Sequence, residues 1–349
     1  MPNVAVIGTT TWGMTLGVVL SNKKINVRVW ARTEKEANDI SDGNRNGNLI
    51  PVIDSPHISI TNRLDVAMDD ARAVIMAVPS QTMRQNIRLV KDYLKSSTLI
   101  ISAAKGLELN SYKRMSQVIA DEIEPRFHHN ICILSGPNLY KEVLRGSPAA
   151  TVIAAENEKI ARKVQRLLNA PNFCVYTNTD VTGVEIGGAL KNIIALGAGM
   201  IDGLNFGDNA KAALITRGLT EITALGVALG AHPLTLSGLA GLGDLIATCA
   251  SPLSRNHYVG FELTQGRSLE EITDSINGVA EGISTTNSAW SLAQQLGLEM
   301  PITEKIYKVL YHGLDPSVAA NELMAAETRH ELTGRRWKLF SFLRRQKPA

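Results

Sequence analysis

Val4-Ala5-Val6-Ile7-Gly8-Thr9-Thr10-Thr11-Trp12-Gly13 opens the chain. Four apolar residues, a glycine and a helix-compatible segment make a strand–turn–helix passage, and the fold reading starts there. The turn nearly spells G-x-G-x-x-G, the dinucleotide fingerprint. Gly8 and Gly13 hold its outer positions. Thr10 stands at the middle one, where a bare Cα normally lets the backbone approach a pyrophosphate. A helix beginning here offers free N–H groups and a positive dipole end to phosphate. The Thr10 hydroxyl is expected to add a donor of its own. By itself the fingerprint leaves a cofactor site and a purely structural turn both open.

Working outward, Asn26–Trp30, Ala73–Val78, Thr98–Ala103, Asn130–Leu134, Ala150–Ala154 and Cys174–Thr177 repeat the short apolar run of Val4–Ile7. Such runs, alternating with helical segments such as Trp12–Leu20, predict a parallel sheet covered on both faces, the doubly wound α/β class. After about residue 184 strand-like runs vanish. Glu185–Leu204, Asp208–Leu229, Thr286–Leu296 and Asp315–Glu322 read as helices. The expectation is therefore α/β plus all-α: residues 1–184, then a helical domain at 185–334, with a cleft between them for a small ligand. The second strand ends Trp30-Ala31-Arg32 without the Asp or Glu that holds a ribose 2′-hydroxyl in NAD sites. Arg32 is placed to accept a 2′-phosphate instead, so NADP is expected to be accepted.

The composition narrows the class. The 349 residues carry a net charge of +3, with six Phe and seven Tyr, too little charge and stacking surface to suggest a nucleic-acid partner. Cys132, Cys174 and Cys249 are scattered, which suggests reduced thiols in the cytoplasm. With the first strand beginning by Val4, no signal peptide is expected. The longest apolar stretch, near residues 186–201, is interrupted by Lys191 and glycines, so no bilayer span is expected. No Cys/His spacing suggests a metal. In the basic, aromatic end, residues 335–349, Trp337, Phe340 and Leu343 would line one face of a helix. That face could rest weakly on an anionic membrane, against the alternative of a solvated tail.

Several stretches occur together in a telling order: Ala77–Ser80 (AVPS), Ala103–Glu108 (AAKGLE), Ser135–Asn138 (SGPN), Gly188–Gly199 (GALKNIIALGAG), Gly241–Cys249 (GLGDLIATC), Ser254–Asn256 (SRN) and Val279–Thr286 (VAEGISTT). Over residues 3–330 the chain resembles the NAD(P)-dependent glycerol-3-phosphate dehydrogenases of bacterial type. The resemblance implies an N-terminal Rossmann domain and a C-terminal helical domain, together forming a cytoplasmic homodimer. The implied reaction interconverts dihydroxyacetone phosphate and sn-glycerol 3-phosphate with NAD(P)H for phospholipid synthesis. Carried over by position, Lys191 is the catalytic base, Lys105 a second substrate lysine and Asp244 the acidic member. Ser254, Arg255, Asn256 and Gly136 face substrate. Thr11 and Trp12 meet the pyrophosphate, and Arg255, Val279 and Glu281 meet the cofactor from the helical side. The chain departs from the family at Thr10, at Asn138, which could still bond substrate, and at Tyr140, a bulky ring where the family keeps a small residue beside the cofactor.

The chemistry suits these residue types. Hydride addition to a ketone leaves an oxygen that must take a proton, and the reverse needs a base. A lysine does both if burial and a like charge bring its pKa down, with Asp244 opposing that shift. Arg255 offers a planar fork to a phosphate dianion. Two other readings stand beside this one: a related hydroxy-acid dehydrogenase, and a catalytically silent relative that binds a metabolite or partner.

Overall fold

The computed structural model describes residues 3–42 and 55–324. The basic tail, with Trp337, Phe340 and Leu343, lies outside the described residues. Eight strands form one sheet in the order β3-β2-β1-β4-β5-β6-β7-β8. They are β1 (Asn3–Ile7), β2 (Asn26–Trp30), β3 (Ile58–Thr61), β4 (Ala71–Met76), β5 (Leu99–Ser102), β6 (Ile131–Ser135), β7 (Ala149–Ala154) and β8 (Phe173–Asn178). Helices α1 (Thr11–Ser21), α2 (Glu34–Ser41), α3 (Leu64–Met68), α4 (Met83–Val90), α5 (Met115–Glu122), α6 (Tyr140–Leu144) and α7 (Glu158–Leu168) lie between the strands.

The apolar runs are spent as two-sided strands. Val4 and Val6 enter one core with α1 and α7, while Ala5 and Ile7 enter the other with α4 and α5. All four are fully buried, so the run shows no polar alternation.

The sheet departs from the all-parallel expectation at one place: β7 runs antiparallel to β6, Leu134 facing Ile153. Only the five-residue α6 lies in the connection, too little helix for a crossover over the sheet face, so the chain returns beside itself. β7 and β8 are parallel again, joined through α7.

No strand follows Asn178 among the described residues. The chain continues as α8 (Val181–Gly203), α9 (Gly207–Ala228), α10 (Pro233–Leu236), α11 (Asp244–Ala250), α12 (Arg255–Thr264), α13 (Leu269–Ser275), α14 (Glu281–Leu296), α15 (Pro301–His312) and α16 (Pro316–Met324). Helix α8 is the axle of this part, with every residue from Gly183 to Ile201 buried. It is long and apolar enough to cross a bilayer, yet its apolar window is wholly buried inside the protein. The helix is apolar because neighbours surround it on every side.

Helix α12 packs on α8 through backbone. A Cβ at Gly199 would lie 1.9 Å from the His257 carbonyl oxygen, and one at Gly260 would lie 1.9 Å from that of Leu196. Glu185 of α8 reaches back to the sheet side, accepting from Ser116 N at 2.7 Å and pairing with Arg114.

Candidate active site

A cavity of about 610 Å³ opens between the strand ends and the helical part, at the carboxyl edge of the sheet where doubly wound folds take their ligands. Its sheet-side wall begins at the opening turn. Gly8 has φ +102°, and a Cβ there would meet the Ala77 carbonyl oxygen at 2.7 Å, so the turn is closed to larger residues. Thr11 and Trp12 form the first turn of α1 and line the cavity. Their position at a helix N-terminus fits a pyrophosphate. Gly13, buried behind them, packs against Ala77 and Val6.

Thr10 also lines the cavity, but its hydroxyl does not serve a phosphate as expected. It donates to the Ala77 carbonyl at 2.8 Å and accepts from Gly13 N at 3.1 Å, as the N-cap of α1. The residue missing from the fingerprint has become a helix cap that ties β1 to β4.

On the cavity floor three groups form one ionic unit. Asp244, the first residue of α11, is 1% exposed. Its Oδ2 accepts from Lys105 Nζ at 2.5 Å and its Oδ1 from Lys191 Nζ. Lys191 also donates to Thr248 Oγ1 at 2.6 Å, and Lys105 to the Gly136 carbonyl at 2.9 Å. Burial brings Lys105 down to about 8 from its ordinary 10.5; Asp244 resists this and the like charge of Lys191 adds to it. Thr248, which bonds the Asp244 carbonyl at 2.7 Å, was not singled out from the sequence. Its place four residues after Asp244 on one helix face was a readable signal.

On the helical wall Ser254 caps α12, its Oγ accepting from His257 N at 3.2 Å. Arg255 follows at the cavity, and its guanidinium makes no hydrogen bond or ion pair among the described residues. It packs on Gly278, where a Cβ would lie 2.3 Å from Nη1. Asn256 is less free than the sequence suggests. Its Nδ2 donates to Asn192 Oδ1 at 3.0 Å and its Oδ1 accepts from Gly282 N at 2.8 Å, which leaves one amide hydrogen for a ligand. Asn138 is similarly committed through Nδ2 to the Ala150 carbonyl at 3.0 Å, while its Oδ1 is buried without a partner.

Val279 and Tyr140 complete the rim on opposite sides. The Tyr140 ring stands at the cavity edge, near enough to Arg255 to feel its charge. Glu281 begins α14 and accepts from Ser80 N at 2.8 Å and from the Ser80 hydroxyl. Burial holds its carboxyl above the usual range, against the pull of Ser80 and Arg255. Facing the cavity from the helical side, it also clasps the strand-end loop.

Arg32 does not line this cavity. Its guanidinium turns toward Asn86 Oδ1 at 3.5 Å. Beyond the end of β2, Glu36 in the first turn of α2 accepts from Arg32 N at 3.0 Å and from the Thr9 hydroxyl. Thr33-x-x-Glu36 has the spacing of a capping box, and only half of it forms: Thr33 Oγ1 accepts from Glu36 N at 3.1 Å, while the Glu36 carboxylate turns to Arg32 N.

Models of the NAD-dependent glycerol-3-phosphate dehydrogenase N-terminus and C-terminus match residues 3–161 and 180–321. A Dehalococcoides mccartyi protein named glycerol-3-phosphate dehydrogenase, NAD(P)+, is 59% identical, covering 99% of this chain and 97% of its own. A Pelotomaculum thermopropionicum protein of the same name is 45% identical, covering 94% and 95%. The crystal structure of a Coxiella burnetii glycerol-3-phosphate dehydrogenase superposes with a TM-score of 0.87 at 33% identity, covering 93% of this chain and 99% of that one.

Proposed function

Because the chain belongs to the NAD-dependent glycerol-3-phosphate dehydrogenase family, we propose that Lys191 is the proton carrier of its reaction. The enzyme interconverts dihydroxyacetone phosphate and sn-glycerol 3-phosphate with NAD(P)H, a step that supplies the glycerol backbone of phospholipids. When bound, the nicotinamide supplies or accepts the hydride.

Lys191 Nζ gives its proton to the substrate oxygen as the carbonyl becomes a hydroxyl, and takes it back in oxidation. Asp244 aims that amine, Thr248 fixes it from the side, and Lys105 adds a second positive charge beside the oxygen that becomes negative. Arg255 receives the phosphate, helped by the α12 N-terminus, Ser254 and the free amide hydrogen of Asn256. Gly136 and Asn138 border the substrate from the sheet side. Thr11 and Trp12 hold the pyrophosphate, and Tyr140, Val279 and Glu281 enclose the nicotinamide end.

The observation that carries this reading is the single buried carboxylate gripping both lysines at the floor of the cavity. Such a centre does not suit a silent relative. A hydroxy-acid dehydrogenase is disfavoured by the family match over both halves of the chain, since Arg255 beside a helix N-terminus would suit a carboxylate as well as a phosphate. Initial rates with dihydroxyacetone phosphate and NADH or NADPH test it. Turnover is expected, and none with either cofactor removes the assignment. From the resemblance we also carry forward a cytoplasmic homodimer, which sedimentation equilibrium tests. Weak membrane contact by the tail predicts less sedimentation with anionic vesicles once residues 335–349 are deleted.

A further inference from the structure

The short turn after β4, Ser80–Thr82, touches both halves of the molecule. On the helical side Ser80 gives its N–H to Glu281 at 2.8 Å, and Gln81 Nε2 lies 3.3 Å from Ser284 Oγ on α14. On the sheet side the turn meets the loop that carries Lys105. Gly106, the residue after Lys105, is pressed on it: a Cβ there would lie 2.5 Å from Ser80 Oγ. Gln81 then holds the same loop by its backbone. Its Nε2 donates to the Leu107 carbonyl at 2.8 Å, and its Oε1 accepts from Leu109 N at 2.9 Å. One side chain thus pairs with extended main chain much as a neighbouring strand would. The carbonyl needs a donor and the N–H needs an acceptor, so these two partners fix which way the amide faces.

We propose that Gln81 is a positioning residue for Lys105. This rests on Lys105 meeting the substrate, as in the function given above. Gln81 does not line the cavity, so it acts through the loop and not on a ligand. An ammonium on a flexible four-carbon stem is placed only as well as the main chain beneath it. The Lys105 amine is held by Asp244 and by the Gly136 carbonyl. Its main chain is held two and four residues later, by the Gln81 amide. The rest of the loop has separate anchors. Arg84 grips Glu108 through Nε and Nη2, both at 2.8 Å, and the Leu107 side chain is buried in the helical core. The loop therefore keeps other holds when the Gln81 amide is removed, and what is lost is the seat of Lys105.

Gln81→Met keeps the length of the side chain and removes both backbone bonds. Initial rates with dihydroxyacetone phosphate and NADH should show kcat/KM falling by roughly 10–10²-fold, the cost of misplacing a group at the reacting atoms. The dissociation constant for NADH should stay within about twofold. The same change is then made in Lys105→Ala. There Gln81→Met should cost less than about a further twofold, because the residue it positions is gone, whereas a merely structural role gives independent losses that add. Full additivity overturns the proposal. So does an unchanged kcat/KM in the single variant, or a loss of NADH affinity as large as the loss of rate. Gln81→Glu keeps the acceptor for Leu109 N and lacks the donor for Leu107, and it carries the same comparison if Gln81→Met does not fold. Failure of both to fold makes Gln81 a structural residue and overturns the proposal too. If Lys105→Ala alone turns over at the wild-type rate, the substrate role of Lys105 falls and takes this inference with it.

Discussion

Lys105 and Lys191 come from opposite sides of the cleft and share one counter-charge. Lys105 follows β5 of the sheet and Lys191 sits midway along α8, and each takes one oxygen of Asp244. Two ammonium groups on one carboxylate leave the cluster with a net positive charge, suited to an anionic substrate and to an oxygen that becomes negative.

Removing the counter-charge should therefore harm stability as well as rate. Asp244→Asn leaves two poorly hydrated cations facing each other, and breaking a buried pair costs about 3–5 kcal/mol. Thermal denaturation should show the loss alongside reduced turnover. A variant that melts with the wild type would mean that the lysines find other partners.

Lys191→Ala should lower kcat by roughly 10²–10⁴-fold, the usual worth of a positioned acid–base group. Lys191 is placed at the substrate and not against the pyrophosphate turn, so the dissociation constant for NADH should change little. Stopped-flow rates and cofactor titration separate the two effects. Near-normal kcat would take Lys191 out of the proton path.

The lowered pKa of Lys105 makes stability depend on pH in a definite direction. Between pH 8 and 10.5 the unfolded chain holds the Lys105 proton and the folded chain does not. Stability should rise with pH across that window, because the penalty of burying the charge is full below about 8 and gone above 10.5. The gain is roughly 3 kcal/mol. Comparing the melting of wild type and Lys105→Met from pH 7.5 to 10 isolates this term, since other alkaline titrations are common to both. A constant difference between them contradicts the lowered pKa.

Thr10→Ala tests the helix cap. Losing the bonds to Gly13 N and the Ala77 carbonyl should cost about 0.5–2 kcal/mol, read from chemical denaturation. An unchanged midpoint would show that the hydroxyl is not holding the turn.

Much of the sheet could be read from the chain, because strands buried on both faces leave unbroken apolar runs at β1, β4, β5 and β6. Ile58–Thr61 escaped because β3 is a short edge strand whose pattern alternates weakly. The direction of β7 was hidden for another reason. Residue types record burial, and strand direction is set by how much helix the connection holds. At the site, Lys105, Lys191 and Asp244 were legible through motif order. The role of Thr10 was not, because it depends on where a short side chain points after the turn has closed. Asn256 shows the opposite limit: an amide in the right place whose capacity is mostly taken by Asn192 and Gly282.

The glycine contact between α8 and α12 has a kinetic consequence. With Gly199 and Gly260 pressed against each other's helix, the amine that handles the proton and the arginine that seats the phosphate ride on a single stiff body. The sheet side is tied to that body through several polar links, Lys105 to Asp244, Ser80 to Glu281 and Arg114 to Glu185 among them. Each incoming substrate then meets a phosphate seat and a proton carrier already in register.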